Sequence, residues 1–400
     1  MAFLADRLSL VKPSPTLAVT QKAAALVAQG LPIIGLGAGE PDFDTPDTIK
    51  QAATEAMNRG ETRYTDVAGT PALKKAVIAK MKRDHNLTYA PDQIVVGTGA
   101  KQVLFNALLA TLNPGDEVIV PAPYWVSYPD MTLFAAGVPV IVSCPESDGF
   151  KLTPDALTRA ITPKTKWLIL NSPSNPTGAC YTMEELKAIT KVLHAHPHVH
   201  VMCDDIYEHL VYDGFAYHTL LEADPSLQDR VLVVNGVSKS YAMTGWRIGY
   251  GAGEKSLIAA IVKIQSQSTT NACSVAQAAA VEALNGPQGF LKDWQASFAS
   301  RRNFVVDAIN AIPGLSALKP EGAFYVYISC AALMGKTTPK GAVIHTDQDL
   351  VTYLLEEANV ACVQGEAFGL SPYFRISYAT SLDKLKEAMK RIHAACADLK

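Results

Sequence analysis

The chain has 400 residues, more than one hydrophobic core ordinarily serves, which predicts two domains or one large domain with a satellite. Hydrophobic residues make up 48% and charged residues 18%, the balance of a well-buried globular chain rather than a disordered one. A formal net charge of −3 removes the electrostatic case for nucleic acid or an acidic membrane as partner. The seven cysteines are odd in number, scattered and free of any Cys-x-x-Cys pair, so they read as reduced thiols rather than a disulfide frame. No stretch reads as a signal peptide or a spanning helix, and a soluble, cytoplasmic protein is expected.

Residues 1–15 read as an N-terminal arm that contains Lys12 and Pro13, followed by a helix from Thr16 to Gln29 stopped by Gly30. Gly35, Gly37 and Gly39 crowd the next strand-to-turn segment, where the backbone must approach something closely or take positive φ. The spacing is not that of a phosphate loop, and alone the segment reads as a plain turn. Thr70 is the expected N-cap, and Pro71 the first residue, of a helix that follows the turn at Tyr64. A buried strand at Ile94–Val96 then runs through Gly97, Gly99, Ala100 and Lys101 into an apolar helix expected from Gln102 to Leu112. Strand, glycine turn and helix start together make an anion site, although a simple strand-to-helix turn looks similar.

Further along, the strand at Val118–Val120 ends in Tyr124 and Trp125, an aromatic pair able to stack on a flat ring or to pack at a rim. Leu168–Leu170 leads into a stiff turn at Asn175-Pro176-Thr177-Gly178. The histidines at 194, 196, 198 and 200 invite a metal reading, but Pro197 breaks their geometry and no carboxylate or cysteine has ligand spacing nearby; no metal is expected. Val199–Cys203 reads as a strand delivering Asp204, Asp205 and Tyr207. A carboxylate at a buried strand end needs a cationic partner, and a protonated pyridine nitrogen would serve.

The strand Val231–Val234 leads into Gly236-Val237-Ser238-Lys239, and a second strand, Ile248–Ala252, begins just after Arg247. A lysine at a strand end can lose its proton and attack a carbonyl, while an arginine beyond two glycines can hold a phosphate in its planar fork. An amine nucleophile beside a phosphate anchor is what a pyridoxal-phosphate site needs. Helical patterning dominates from Lys255 to Ile312, a strand follows at Gly322–Ile328, and residues 329–346 read as an exposed insertion. Arg375, in the short strand Phe374–Tyr378, is either a strand-edge cation or a carboxylate clamp. An amphipathic helix from Leu382 to Leu399 closes the chain.

Strands alternate with helices from about residue 50 to 285, which predicts an α/β architecture with a mostly parallel sheet and helices on both faces. Five motifs stand in one order: Gly39–Phe43, Pro123–Trp125, Asn175–Gly178, Ser238-Lys239 through Gly249, and Phe374–Tyr378. In that order the chain resembles the fold-type I, class I pyridoxal-phosphate aminotransferases over nearly its whole length. Within them it is similar to the bacterial aspartate aminotransferase subgroup, which includes aspartate/prephenate aminotransferases.

The resemblance implies a large cofactor-binding domain at 48–289, a smaller α+β domain from 16–47 and 290–400, and a homodimer. It implies pyridoxal 5′-phosphate as cofactor. Lys239 matches the Schiff-base lysine that also moves the substrate proton, and Asp204 the carboxylate that keeps the pyridine nitrogen protonated, leaving Asp205 a bystander. Tyr207 and Asn175 match donors to the phenolic oxygen, and Trp125 the stacking ring. Gly99, Ala100, Ser238 and Arg247 match phosphate ligands, joined by Tyr64 from the partner subunit. Gly236 stands where many members carry a further serine. Arg375 resembles the α-carboxylate clamp, assisted by Gly39 and Asn175; Lys101 resembles the binder of the side-chain carboxylate, and Lys12 a lysine associated with prephenate. The expected reaction is ping-pong transfer of the amino group of L-aspartate to 2-oxoglutarate. Prephenate or an aromatic oxo acid is the alternative acceptor, and a pyridoxal-phosphate lyase the more distant reading.

Overall fold

The structure, a computed structural model, describes residues 3–11, 13 and 15–400, so the expectation placed on Lys12 lies outside the described residues. Runs of aliphatic, mostly β-branched residues form seven strands of one sheet. Their ranges are Ile94–Thr98 (β2), Glu117–Ala122 (β3), Val138–Ser143 (β4), Thr165–Asn171 (β5), His200–Asp204 (β6), Val231–Gly236 (β7) and Ile248–Ala252 (β8). A short strand at Ile34–Gly35 (β1) precedes them. The order across the sheet is β2-β8-β7-β6-β5-β3-β4, parallel throughout except for β8, which runs against both of its neighbours. Inner strands buried on both faces carry apolar residues in unbroken runs, as β7 does from Val231 to Val234. The edge strand β4 leaves Val138 and Ile141 exposed.

This topology puts the C-terminal ends of β2, β3, β5, β6 and β7 along one border, where β8 begins. The connecting loops there carry Gly99, Trp125, Asn175, Asp204 and Lys239, and open α/β sheets bind ligands at that border. The helix expected from Gln102 starts two residues earlier, at Ala100, because Gly99 takes φ +81° as its N-cap. Thr70 caps the helix Pro71–His85 through its side chain, as its sequence context predicts.

A second sheet gathers Ser316–Ala317 (β9), Tyr325–Ser329 (β10), Val363–Gln364 (β12) and Tyr373–Ser377 (β13), all antiparallel, in the order β12-β13-β10-β9. Between them in the chain, Val360–Ala361 (β11) pairs in parallel with β1, so the segment leading to Gly39 is stitched to the C-terminal part of the chain. The helix Phe290–Asn310 lays Phe298, Val305 and Ile309 against this sheet and against the closing helix Leu382–Ala397. Arg375 sits on β13, an inner strand at 2% exposure, which removes the strand-edge reading. Residues 329–346 are mostly exposed, as expected, but a few of them anchor the segment to the core. Gly335, Pro339 and Gly341 make turns, and Cys330, Leu333 and Ile344 on either side of those turns are apolar and bury themselves in the same core. Thr337 also exchanges two backbone hydrogen bonds with Lys400. Among the described residues no helix is long and apolar enough to cross a membrane.

The turn after β6 is held from behind. Asp204 and Tyr207 face the cavity at the sheet border, whereas Asp205 and Glu208 face the helix Pro71–His85 and the segment around Thr219. Glu208 lies 2.5 Å from the buried Lys80 ammonium and 2.7 Å from His85 Nε2. Burial alone would lower the His85 pKa, but hydrogen bonds to Glu208 and Glu222 overcome it and hold the imidazole at about 9. A folded pKa above the unfolded one makes this contribution complete below about pH 6.5 and lost as pH rises through 9. Glu208→Gln leaves two cations without their buried partner and is expected to destabilise the fold by about 3–5 kcal/mol. The deficit should narrow from pH 6.5 toward pH 9. Denaturant melts of both proteins across that range check it; a loss under about 1 kcal/mol would contradict it.

Candidate active site

The loops at the sheet border and the strands of the second sheet enclose a cavity of about 300 Å³. Its base is the turn between β2 and its helix. Gly99 has φ +81°, and a Cβ there would collide with the Arg247 guanidinium, so only glycine lets the arginine lie across the helix start. Gly249 on β8 is equally constrained, since a Cβ there would overlap the Ala100 nitrogen. The helix from Ala100 therefore aims its unpaired N–H groups and dipole at the same place as Arg247 and Ser238. Arg247 itself has φ +57° and donates from Nη1 to the Thr244 carbonyl at 2.8 Å. The missing serine at Gly236 has a local reason: a Cβ there would stand 2.9 Å from the Ile248 carbonyl oxygen.

Two titratable groups face each other across the middle. Asp204 is buried, and burial raises its pKa to about 6, against the hydrogen bond that Tyr128 Oη donates to Oδ2 at 2.7 Å. Its Oδ1 has no hydrogen-bond partner, a buried acceptor open to the cavity. Lys239 is lowered to about 8, first by burial and then by Arg247 and Arg375, while Glu40 and Asp204 act in the opposite sense. Its ammonium donates to the Gly39 carbonyl. The Tyr207 hydroxyl is 2.9 Å from that of Tyr325, and Asp205 turns away to accept from Thr219 at 2.7 Å.

On the side of the second sheet, Arg375 donates to Asn175 Oδ1 at 2.7 Å and to the Gly37 carbonyl at 2.6 Å. Its guanidinium lies 4.4 Å from the ring centroid of Tyr325 and 5.0 Å from that of Phe368. Nε has no partner, and among the described residues no carboxylate pairs with it. Burial lowers its pKa, with the neighbouring tyrosines acting the other way. At the mouth, Lys101 holds its ammonium 4.6 Å above the Trp125 ring, and partial desolvation of the ammonium there, followed by the charge of Arg247, lowers its pKa.

Gly39, Ala100, Lys101, Trp125, Asn175, Asp204, Tyr207, Ser238, Lys239, Arg247 and Arg375 thus line one cavity, with Gly99 at its base. Tyr64 does not; it is 90% exposed and lies outside the lining. Tyr128, Tyr325, Asn171, Thr16 and Thr20 line the cavity without having been singled out from the sequence. Tyr128 follows Trp125 by one helical turn, the only local hint of its position. Tyr325 reads as one more core residue of an aromatic strand. The histidine run is drawn out along a connection, with His194 2.5 Å from Asp224 and His198 3.1 Å from the Thr162 carbonyl.

The open Oδ1 makes Asp204 a liability in the cofactor-free protein. Its folded pKa lies above the unfolded one, so its contribution is complete below about pH 3.8 and lost as pH rises through 6. Without cofactor, Asp204→Asn should therefore be more stable than wild type at pH 7.5, by roughly 1–3 kcal/mol. The gain should shrink as pH falls from 6 toward 4. Cofactor-free melts of both proteins check this; equal or lower stability of the variant would contradict it.

The family model of the class I and II aminotransferases matches residues 32–392. A probable aspartate/prephenate aminotransferase of Rhizobium leguminosarum bv. phaseoli is 59% identical over 400 residues, with 100% of each chain covered. An aspartate/prephenate aminotransferase of Cereibacter sphaeroides is 58% identical over 399 residues, again with 100% of each chain covered. Among solved structures, the aspartate aminotransferase of Rhizobium meliloti superposes with a TM-score of 0.97 at 54% identity, covering 100% of both chains. That of Thermus thermophilus, determined with maleate, gives 0.92 at 41% identity, covering 99% of this chain and 100% of its own. With the cavity geometry and a match across most of its length, the chain belongs to the class I and II aminotransferases.

Proposed function

We propose that the protein is a pyridoxal-phosphate-dependent aminotransferase that moves the amino group of L-aspartate to 2-oxoglutarate, giving oxaloacetate and L-glutamate. The observation that carries the reading is the charge of the cavity. Lys101, Lys239, Arg247 and Arg375 line it against one buried carboxylate, Asp204, and among the described residues none of the four cations has an acidic partner within ion-pair distance. Such a cavity is completed by anions: a phosphate at one end and a dicarboxylate at the other. The relatives' names and the maleate in the Thermus thermophilus structure support the dicarboxylate.

The residues present fit the cofactor. Asp204 Oδ1, an unpartnered buried acceptor, suits a ring N–H, and the Gly99 cradle beneath Arg247 suits a phosphate. Pyridoxal phosphate, when bound, supplies a carbonyl that captures amines and a ring that takes up the electron pair left when a Cα proton departs. Asp204 would hold a proton on the ring nitrogen, and Trp125 would cover the ring and exclude water from it. Arg247, Ser238 and the N–H groups at Gly99 and Ala100 anchor the phosphate. Tyr207 and Asn175 donate toward the phenolic oxygen. Arg375 takes the α-carboxylate in its planar fork, assisted by the backbone at Gly39 and by Asn175, which already fixes its Nη1. Lys101 reaches the second carboxylate, and its flexible stem suits both aspartate and the longer 2-oxoglutarate. Lys239, depressed to about 8, would be neutral often enough near neutral pH to act as an amine nucleophile toward a carbonyl and as the base that takes up the substrate's Cα proton. Because one set of cations serves both dicarboxylates, the first product must leave before the second substrate binds.

Prephenate as a second acceptor is supported by the names of the two relatives. We also take 48–289 as the cofactor-binding domain and 16–47 with 290–400 as the small domain, a division in keeping with the separate apolar clusters around the two sheets. A homodimer would give the exposed Tyr64 a partner's phosphate site to reach, and free cysteines throughout suit a reducing cytoplasm. The visible spectrum of the purified protein tests the proposal. Aspartate alone should convert the yellow form to the pyridoxamine form, and 2-oxoglutarate should restore it, with prephenate ranked by the same assay. A chromophore indifferent to aspartate would overturn the substrate, and none after adding pyridoxal phosphate would overturn the reading of Lys239.

A further inference from the structure

Tyr325 enters the cavity from β10, while Tyr207 enters from the turn after β6, so the 2.9 Å contact between their hydroxyls bridges the two sheets. Both side chains are buried. Each phenol has one proton to give. If Tyr207 gave its proton to Tyr325, it would have none for an oxygen in the cavity. The other order, in which Tyr325 donates to Tyr207 and Tyr207 donates onward, satisfies both groups and strengthens the outer bond by polarising it. Tyr325 also carries the Arg375 guanidinium on its ring face at 4.4 Å. Its hydroxyl has space because residue 39 is glycine; a Cβ there would come within 3.0 Å of it.

We infer that Tyr325 is a positioning residue for transamination. Its hydroxyl fixes Tyr207 as a donor to the cofactor's phenolic oxygen, and its ring holds the carboxylate clamp Arg375 in place. The inference rests on the reading of this cavity as a pyridoxal-phosphate site. It gives one side chain two separable duties, of which Tyr325→Phe removes the first and Tyr325→Leu removes both. The charged groups facing the tyrosine pair are Arg375 from β13, Asp204 from β6 and Glu40 from the segment after β1, with Lys239 above the Tyr207 ring. Neither substitution changes the charge of any of them, and only Tyr325→Leu takes away a contact of one, the ring beneath Arg375.

The test is a pH titration of the visible chromophore of the loaded enzyme, joined to steady-state kinetics. A hydrogen bond donated to the phenolic oxygen draws off electron density that would otherwise hold the neighbouring proton. A weakened Tyr207 donor therefore lets that proton persist to higher pH. Tyr325→Phe should raise the titration midpoint by about 0.5–1 pH unit, a three- to tenfold change in the proton-dissociation constant. Its kcat should fall about three- to tenfold and its KM for aspartate should stay within about twofold. Tyr325→Leu should in addition raise that KM about tenfold or more. Tyr207→Phe is the control and should move the midpoint further in the same direction. If Tyr207→Phe shifts the midpoint and Tyr325→Phe does not, the inference is overturned while the proposed function stands. If neither does, the role of Tyr207 falls and the inference with it. A wild-type protein without a chromophore would remove the proposed function itself, and this inference with it.

Discussion

Arg375 keeps a full positive charge at 2% exposure with no carboxylate beside it among the described residues. An isolated buried charge is among the most unfavourable arrangements a fold can hold, and it persists only where its surroundings over-determine it. Here the inner strand β13 fixes its backbone, Asn175 and the Gly37 carbonyl take two of its donors, and the rings of Tyr325 and Phe368 face its plane. Much of the second sheet can be understood as support for this one group. The parallel pairing of β1 with β11 brings the Gly37 carbonyl to it, and the antiparallel pairing of β13 with β10 brings Tyr325.

The same logic runs in the opposite sign at Asp204. A carboxylate with an open Oδ1 in a buried site is held by Tyr128 in front and by the Lys80–Glu208–His85 cluster behind its turn. The turn alternates its faces, so that two acidic residues, Asp204 and Asp205, neighbours in sequence, end in different surroundings. One is left unsatisfied toward the cavity and the other is bound to Thr219. Native stability is given up locally for a pocket whose charges are arranged in advance of its ligands, the condition under which fixed charges and dipoles act most strongly on a reaction.

Much of this was legible in the sequence because the residues at the sheet border obey backbone rules that leave a mark. Gly99 needs φ > 0, Gly39 a close approach, and Lys239 and Arg247 flank a strand-to-strand excursion bounded by glycines. The order of the motifs then supplied the family. Aromatic residues inside regular elements were not legible, since a buried tyrosine that donates a functional hydrogen bond has the same local pattern as one that fills space. Tyr128 and Tyr325 became visible only when helix and strand were placed. The anchoring of 329–346 was hidden for a related reason: turn residues are conspicuous, while the few apolar residues flanking them, Cys330, Leu333 and Ile344, find their partners only in three dimensions. Tyr64 is the opposite case: expected at a partner subunit's phosphate, it stands exposed on this chain and outside the cavity lining.

On the proposed function, the two uncompensated buried charges, Arg375 and Asp204, are halves of ligand contacts. The most direct measurement is a crystal structure of the pyridoxal-phosphate-loaded protein with a non-reacting four-carbon dicarboxylate. One carboxylate should pair with both terminal nitrogens of Arg375, the other should lie within ion-pair reach of Lys101, and the ring nitrogen should be hydrogen-bonded to Asp204 Oδ1. A dicarboxylate bound elsewhere, or Asp204 without contact to the ring, would contradict that reading.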